Sequence, residues 1–221
     1  FQGMKQNFRG YQVVRKLGEG GMSDVFLAYS GAQKREVVLK VLRTALSNDA
    51  EMLRRFIQEY AVLANLNHHH VARIYDQGFT DNYAYIAMEY LSGGTLKQEI
   101  RSRGMPGNSL TGSAAKIHVR VIDLLRQIVS ALNAIHKLGL VYRDLKPDNL
   151  MFRTEGGELV LVDFGIVKNV GEHSDGLMPE RLVSTAHGQV IGTPYYVSPE
   201  QATGQEVDFR SDFYSLGVIL Y

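Results

Sequence analysis

Short apolar runs broken by turn residues open this chain, and longer runs with a helical period follow. Residues 11–17, 24–29 and 36–41 read as three strands. Residues 49–66 read as a helix. Phe56, Tyr60 and Leu63 follow helical spacing, as do Ile57 and Ala64, and residues 47–49 supply N-cap candidates. Residues 71–78 and 83–88 read as a strand pair around a turn at 80–82. Residues 101–113, rich in Gly, Ser, Pro and Asn, read as a flexible loop. A long helix is predicted over 116–138, with Val121, Leu124, Leu125, Ile128, Leu132 and Ile135 on one apolar stripe and Gly139 ending it. Apolar residues 140–141 and 150–152 bracket a polar turn, and residues 159–162 form a further short strand. Residues 166–191 are polar with little periodicity, as expected of a mobile segment. Residues 212–221 are apolar nearly all round, as expected of a helix buried inside a lobe.

Composition narrows the class. The chain has 221 residues, 45% of them hydrophobic, enough for one sizeable domain or two small lobes. A net charge of +1 suggests neither nucleic acid nor an anionic membrane surface as partner. Cysteine is absent, so there are no disulfides and no thiolate metal sites, which fits a reducing compartment. No apolar run reaches membrane-spanning length. The opening Phe1-Gln2-Gly3 before Met4 resembles a tag remnant, so residues 1–7 are set aside as tail.

Candidate chemistry concentrates in residues 141–150. Asp144 is a carboxylate that can accept a proton, Lys146 a cation that can sit on a phosphate, and Asn149 an amide oxygen that can ligate a hard cation. The turn at 18–23 carries Gly18 and Gly20, and glycines let backbone N–H groups approach phosphate oxygens. A dinucleotide-binding turn is excluded there, because a strand and not a helix follows. Lys40 interrupts an apolar run, so its ammonium needs a partner or water. Glu59, on the predicted helix, is the natural partner. Glu51 competes, but the helix dipole accounts for a carboxylate in the first turn. The imidazoles of His68, His69 and His70 cannot all face one metal, so these residues read as a loop. Asp163 follows a buried strand directly, where a carboxylate can hold a hard cation.

These stretches resemble the eukaryotic-type (Hanks-type) serine/threonine protein kinases, over residues 8–221 and with every motif in order. The glycine turn has Ser23 where the third glycine is usual. The loop Tyr142-Arg143-Asp144-Leu145-Lys146-Pro147-Asp148-Asn149 has Tyr142 for the usual His. Asp163-Phe164-Gly165 follows, and Ser198-Pro199-Glu200 stands for the usual Ala-Pro-Glu, with Gln201 after it as in bacterial members.

The resemblance implies an α+β fold of two lobes. An antiparallel sheet with one helix would span 8–90, and a mostly helical lobe 91–221, with ATP between them and the last helices of the large lobe missing. It implies phosphoryl transfer from ATP, with Mg2+, to Ser or Thr of a protein substrate, together with autophosphorylation. Lys146 favours Ser/Thr over Tyr as acceptor. Asp144, Lys146, Asn149, Lys40 and Glu59 would be catalytic, and Asn149 and Asp163 would hold the metal. Leu17, Gly18, Gly20, Val25, Val38, Lys40, Met88, Glu89, Leu91 and Met151 would line the nucleotide site. Arg143 would await a phosphate on the activation segment, at Ser174, Ser184 or Thr185, and Asp212 would brace the loop backbone. A cytoplasmic location is expected, as is self-association through the apolar end of the large lobe. The alternative is a pseudokinase, a nucleotide-binding scaffold without turnover.

Overall fold

A computed structural model describes residues 7–19, 23–43, 57, 60–80, 83–103, 114–162, 168–169 and 194–221. The chain divides into two compact units, residues 1–92 and 93–221.

The first unit is one six-stranded antiparallel sheet. Its strands are β1 (Asn7–Phe8), β2 (Tyr11–Glu19), β3 (Ser23–Ser30), β4 (Arg35–Arg43), β5 (Ile74–Phe79) and β6 (Tyr83–Glu89), in the order β1-β2-β3-β4-β6-β5. Side chains alternate between faces along each strand. One face gathers Tyr11, Phe26, Ala28, Val37, Leu39, Val41, Tyr85 and Ala87 into a buried cluster. Within it the Tyr11 and Tyr85 hydroxyls both donate to Asp76 Oδ2, at 2.9 and 3.1 Å. Burial, followed by these bonds, pushes both phenols above their ordinary range. The predicted strand 71–78 begins at Ile74, because the Val71 N–H is taken by the His68 carbonyl in a preceding turn. Residues 60–64 are helical, with Tyr60 and Leu63 buried. Most of the predicted helix 49–66, Phe56 included, lies outside the described residues.

The second unit opens with α1 (Leu96–Arg103), which the sequence reading missed. Residues 101–103 are its last turn rather than loop, while residues 104–113 lie outside the described residues. The cause is a reciprocal cap: Gln98 N–H donates to Thr95 Oγ1 at 3.1 Å, and Thr95 N–H to Gln98 Oε1 at 2.8 Å. Gly93 precedes it where the backbone crosses β8 (Leu150–Phe152), and a Cβ there would stand 2.5 Å from the Phe152 carbonyl oxygen.

The long helix α2 (Ala114–His136) supports β7 (Leu140–Val141), and β9 (Leu159–Leu161) pairs with β8. Ile128, Leu132 and Ile135 are buried as the stripe predicts, but Val121 on the same face is 44% exposed. The helix packs against β7 and β9, and Val121 lies outside that contact. Lys168–Asn169, in the segment expected to be mobile, form β10 and pair antiparallel with β7. The remainder of 166–191 lies outside the described residues.

Helices α3 (Pro199–Ala202) and α4 (Phe209–Leu220) complete the unit. Helix α4 is buried on one side only, and most of its apolar residues are left partly open to water. Its inward residues are Ser211, Asp212, Ser215 and Leu216, while Phe213, Tyr214 and Leu220 are about half exposed. The inward face is polar because it meets backbone whose N–H and C=O groups need partners. Ser215 Oγ, for example, donates to the Tyr196 carbonyl.

Candidate active site

The polar loop 142–149 leaves β7 and returns through a short 3-10 turn, Pro147–Asn149, into β8. Its flanks are dry: Leu140, Val141, Leu145, Leu150 and Phe152 are each no more than 1% exposed. Buried apolar ends fix the loop, and its polar atoms are then oriented by hydrogen bonds.

Asp212, fully buried on α4, does most of this. Its carboxylate accepts the Tyr142 N–H at 2.9 Å and the Arg143 N–H at 2.7 Å. His136 Nε2 lies 2.7 Å from the same carboxylate. An ionised carboxylate only accepts, so the His136 proton resides on Nε2. Asp212 therefore braces the loop backbone as the sequence suggested.

Arg143 has φ +68°, the left-handed region, which costs a residue with a Cβ about 1–3 kcal/mol. Its N–H is held by Asp212, and its carbonyl accepts from Gln201 Nε2 at 2.9 Å. The Tyr142 hydroxyl donates to the Val162 carbonyl.

Next in the chain comes Asp144. Asn149 Nδ2 donates to its carbonyl at 2.8 Å and to its Oδ2 at 2.9 Å. With the nitrogen committed, the Asn149 amide oxygen is left as a hard-oxygen donor, which suits a divalent cation. Lys146 Nζ stands 3.4 Å from Asp144 Oδ1. The two side chains are 33% and 25% exposed, whereas Asn149 is buried. A buried amide thus presents a carboxylate and an ammonium to solvent. The remaining acid of the turn, Asp148, is paired with Lys97 of α1 at 2.7 Å. Among the described residues no cluster of three His, Cys, Asp or Glu side chains could hold a metal, the three histidines included. Burial and the neighbouring imidazoles lower the pKa of His68.

The first unit brings together other candidates by strand register. Gly18 pairs with Val25, Val25 with Lys40, and Val38 with Met88. Val25, Val38, Lys40 and Met88 therefore share one face of the sheet, opposite the buried cluster. Lys40 is 9% and Met88 5% exposed, and Leu17 is exposed near the end of β2. Leu91, just past β6, is buried. The Glu89 N–H donates to the Arg73 carbonyl at 2.8 Å, so any further backbone contact at Glu89 falls to its carbonyl. Met151 belongs to the second unit, bridged to Thr95. Glu59, Gly20 and Asp163 lie outside the described residues, as do Phe164, Gly165, Ser174, Ser184, Thr185 and Thr193.

The sequence reading missed Gln201 and Lys97 as partners of the loop. For Gln201 a local signal exists: Ser198-x-x-Gln201 is a capping-box spacing, like Thr95-x-x-Gln98. Glu200, between Ser198 and Gln201 in sequence, has a partner on α4. The Ser211 hydroxyl donates to it and holds its pKa below the ordinary range.

Known proteins resemble this chain over most of its length. Residues 11–221 match the family described as protein kinase domain. The chain is 41% identical over 215 residues to serine/threonine-protein kinase pkn3 of Myxococcus xanthus, covering 96% of this chain and 37% of that protein. It is 35% identical over 212 residues to serine/threonine-protein kinase PrkC of Bacillus subtilis, covering 96% and 30%. Serine/threonine-protein kinase PknL of Mycobacterium tuberculosis is also 35% identical over 212 residues, covering 96% and 48%. The chain thus spans between about a third and a half of the length of these relatives.

Proposed function

Because this chain belongs to the protein kinase family, in its eukaryotic-type (Hanks-type) branch, we propose that it transfers the γ-phosphoryl group of ATP to Ser or Thr hydroxyls of a protein, with Mg2+ as the cation. The observation that carries the reading is the Asp144–Asn149–Lys146 arrangement. Asn149 fixes one oxygen of Asp144, and Lys146 stands beside the other.

In this reading Asp144 accepts the proton of the attacking hydroxyl as its oxygen bonds to phosphorus and the bond to the ADP oxygen breaks. Lys146 offsets charge on the transferred group. Lys40, paired with Glu59, aligns the nucleotide phosphates, and Gly18, Gly20 and their turn cover them. Val25, Val38, Met88, Leu17, Leu91 and Met151 line the adenine site, with the Glu89 carbonyl at its edge. Asn149 and Asp163 are the residues that would hold the cation, which when bound neutralises phosphate charge. Most of the acceleration is then positioning and electrostatics. The same proposal locates the domain in the cytoplasm, where ATP is. No helix among the described residues is long and apolar enough to cross a membrane.

Transfer of labelled phosphate from ATP to a Ser/Thr-containing protein tests this, with Asp144→Asn and chelator as controls. Transfer by the wild type that both controls abolish is the expected result. Nucleotide binding without any transfer would favour the pseudokinase reading.

A further inference from the structure

We infer that Gln201 is a positioning residue for phosphoryl transfer: its amide clamps the peptide that enters Asp144 and ties that peptide to the cap of α3. The inference rests on the proposed kinase reading for its catalytic consequence, and on geometry alone for the clamp.

Both ends of the Gln201 amide are occupied, by groups of opposite kind. Its Oε1 receives the Ser198 N–H at 3.3 Å. Its Nε2 donates to the Arg143 carbonyl at 2.9 Å. A flipped amide would set N–H against N–H and oxygen against a carbonyl, so the partners dictate this orientation. One side chain therefore serves as the N3 half of a capping box and as a donor to a residue 58 positions earlier.

What it holds is the residue that most needs holding. Arg143 is in the left-handed region and immediately precedes Asp144. Its N–H is held from α4 by Asp212 and its carbonyl from α3 by Gln201. The two helices are themselves joined, because Ser198 Oγ donates to Ser211 Oγ at 3.1 Å and the Ser211 hydroxyl donates to Glu200. Rotation of the Arg143–Asp144 peptide would swing the Asp144 carboxylate, and the closed ring of bonds opposes that rotation. Asn149 holds the other end of Asp144, but it bonds the Asp144 carbonyl and side chain and leaves the preceding peptide to Gln201. Displacement of the 194–199 stretch would pull on Asp144 through this amide.

Gln201→Glu separates the two duties. A glutamate at N3 still accepts the Ser198 N–H, but it lacks the donor and sets a carboxylate against the Arg143 carbonyl. The expected result is a fall in kcat of about ten- to a hundredfold with KM for ATP within about twofold of wild type. Amide hydrogen exchange of residues 142–145 should speed up while residues 199–202 keep their protection. Should Gln201→Glu fail to fold, Gln201→Ala is compared with Ser198→Ala. Both lose the cap, and only the first should loosen 142–145. Wild-type kcat and exchange at 142–145 in the Gln201 variants would overturn the inference. So would a loss of protection confined to 199–202, which would leave Gln201 a cap and nothing more. If the wild type transfers no phosphate, exchange at 142–145 still reads the clamp, and the failure falls on the kinase assignment instead.

Discussion

The carboxylate of Asp212 holds the N–H of Arg143 at 2.7 Å, across 69 residues of sequence, with Arg143 at φ +68°. The same carboxylate holds Tyr142 and meets His136, so a single buried charge organises the start of the polar loop. Asp212→Asn keeps the shape but removes the charge and turns one acceptor into a donor facing N–H groups. It is expected to destabilise the protein by on the order of 3 kcal/mol, read as a shift of the urea midpoint. An unchanged midpoint would show that the loop does not depend on this brace.

Asp144 should matter to chemistry and not to folding, since its side chain is a quarter exposed. Asp144→Asn is expected to lower kcat by about a hundred- to ten-thousandfold with little change in the thermal midpoint. Turnover near wild type would remove Asp144 from the proposed mechanism.

Lys40 sits almost buried on the same sheet face as Val25, Val38 and Met88. Lys40→Met retains the stem length and drops the charge, so the sheet should persist. Turnover should fall by orders of magnitude, on the order of a hundredfold or more, because the phosphates lose their guide. Circular dichroism and steady-state rates together separate a folding defect from a positioning one.

Acid should loosen the join between α3 and α4. The Ser211 hydroxyl holds the pKa of Glu200 below its ordinary 4.5, and Arg210 holds that of Asp208 below its ordinary 3.8. A carboxylate with a lowered folded pKa stabilises above its unfolded pKa and loses that contribution as pH falls through the folded value. The thermal midpoint should therefore drop below about pH 4.5, and Glu200→Gln should flatten the drop. Identical pH profiles for variant and wild type would show that the Glu200–Ser211 bond carries no stability.

Phe213, Tyr214 and Leu220 leave an apolar strip on α4 open to water. Light scattering across a dilution series is expected to show concentration-dependent association, reduced by Phe213→Ser with Leu220→Ser. Monomeric scattering at every concentration would count against association through α4.

Much of the architecture was legible in the sequence because period and punctuation coincide. The strands from Tyr11 onward, the Gly139 stop and the strand before Asp163 all follow from local pattern. Asp144 and Asn149 were legible from their spacing, and the structure brings their side chains to 2.9 Å. Other features were not legible, for physical reasons. Helix α1 is short and mostly polar, so its cap and not its periodicity defines it. The exposure of Val121 depends on which part of the helix the strands reach, which no helical period reports. Arg143 looks ordinary in sequence, because its left-handed backbone is held by partners 58 and 69 residues away, Gln201 and Asp212.

The shared acceptor in the first unit gives the protein an optical label of its own. With no tryptophan and twelve tyrosines, its near-ultraviolet absorbance is tyrosine absorbance. Tyr11 and Tyr85 donate to one Asp76 oxygen and are pushed above the ordinary phenol range, so both should lag the exposed tyrosines in an alkaline titration. Each stabilises the fold below its unfolded pKa and gives that up as pH rises through its folded value. Late phenolate absorbance therefore marks the opening of the sheet in residues 1–92, and Asp76→Asn should bring it forward. The order in which the two units come apart in base can then be followed without attaching a dye.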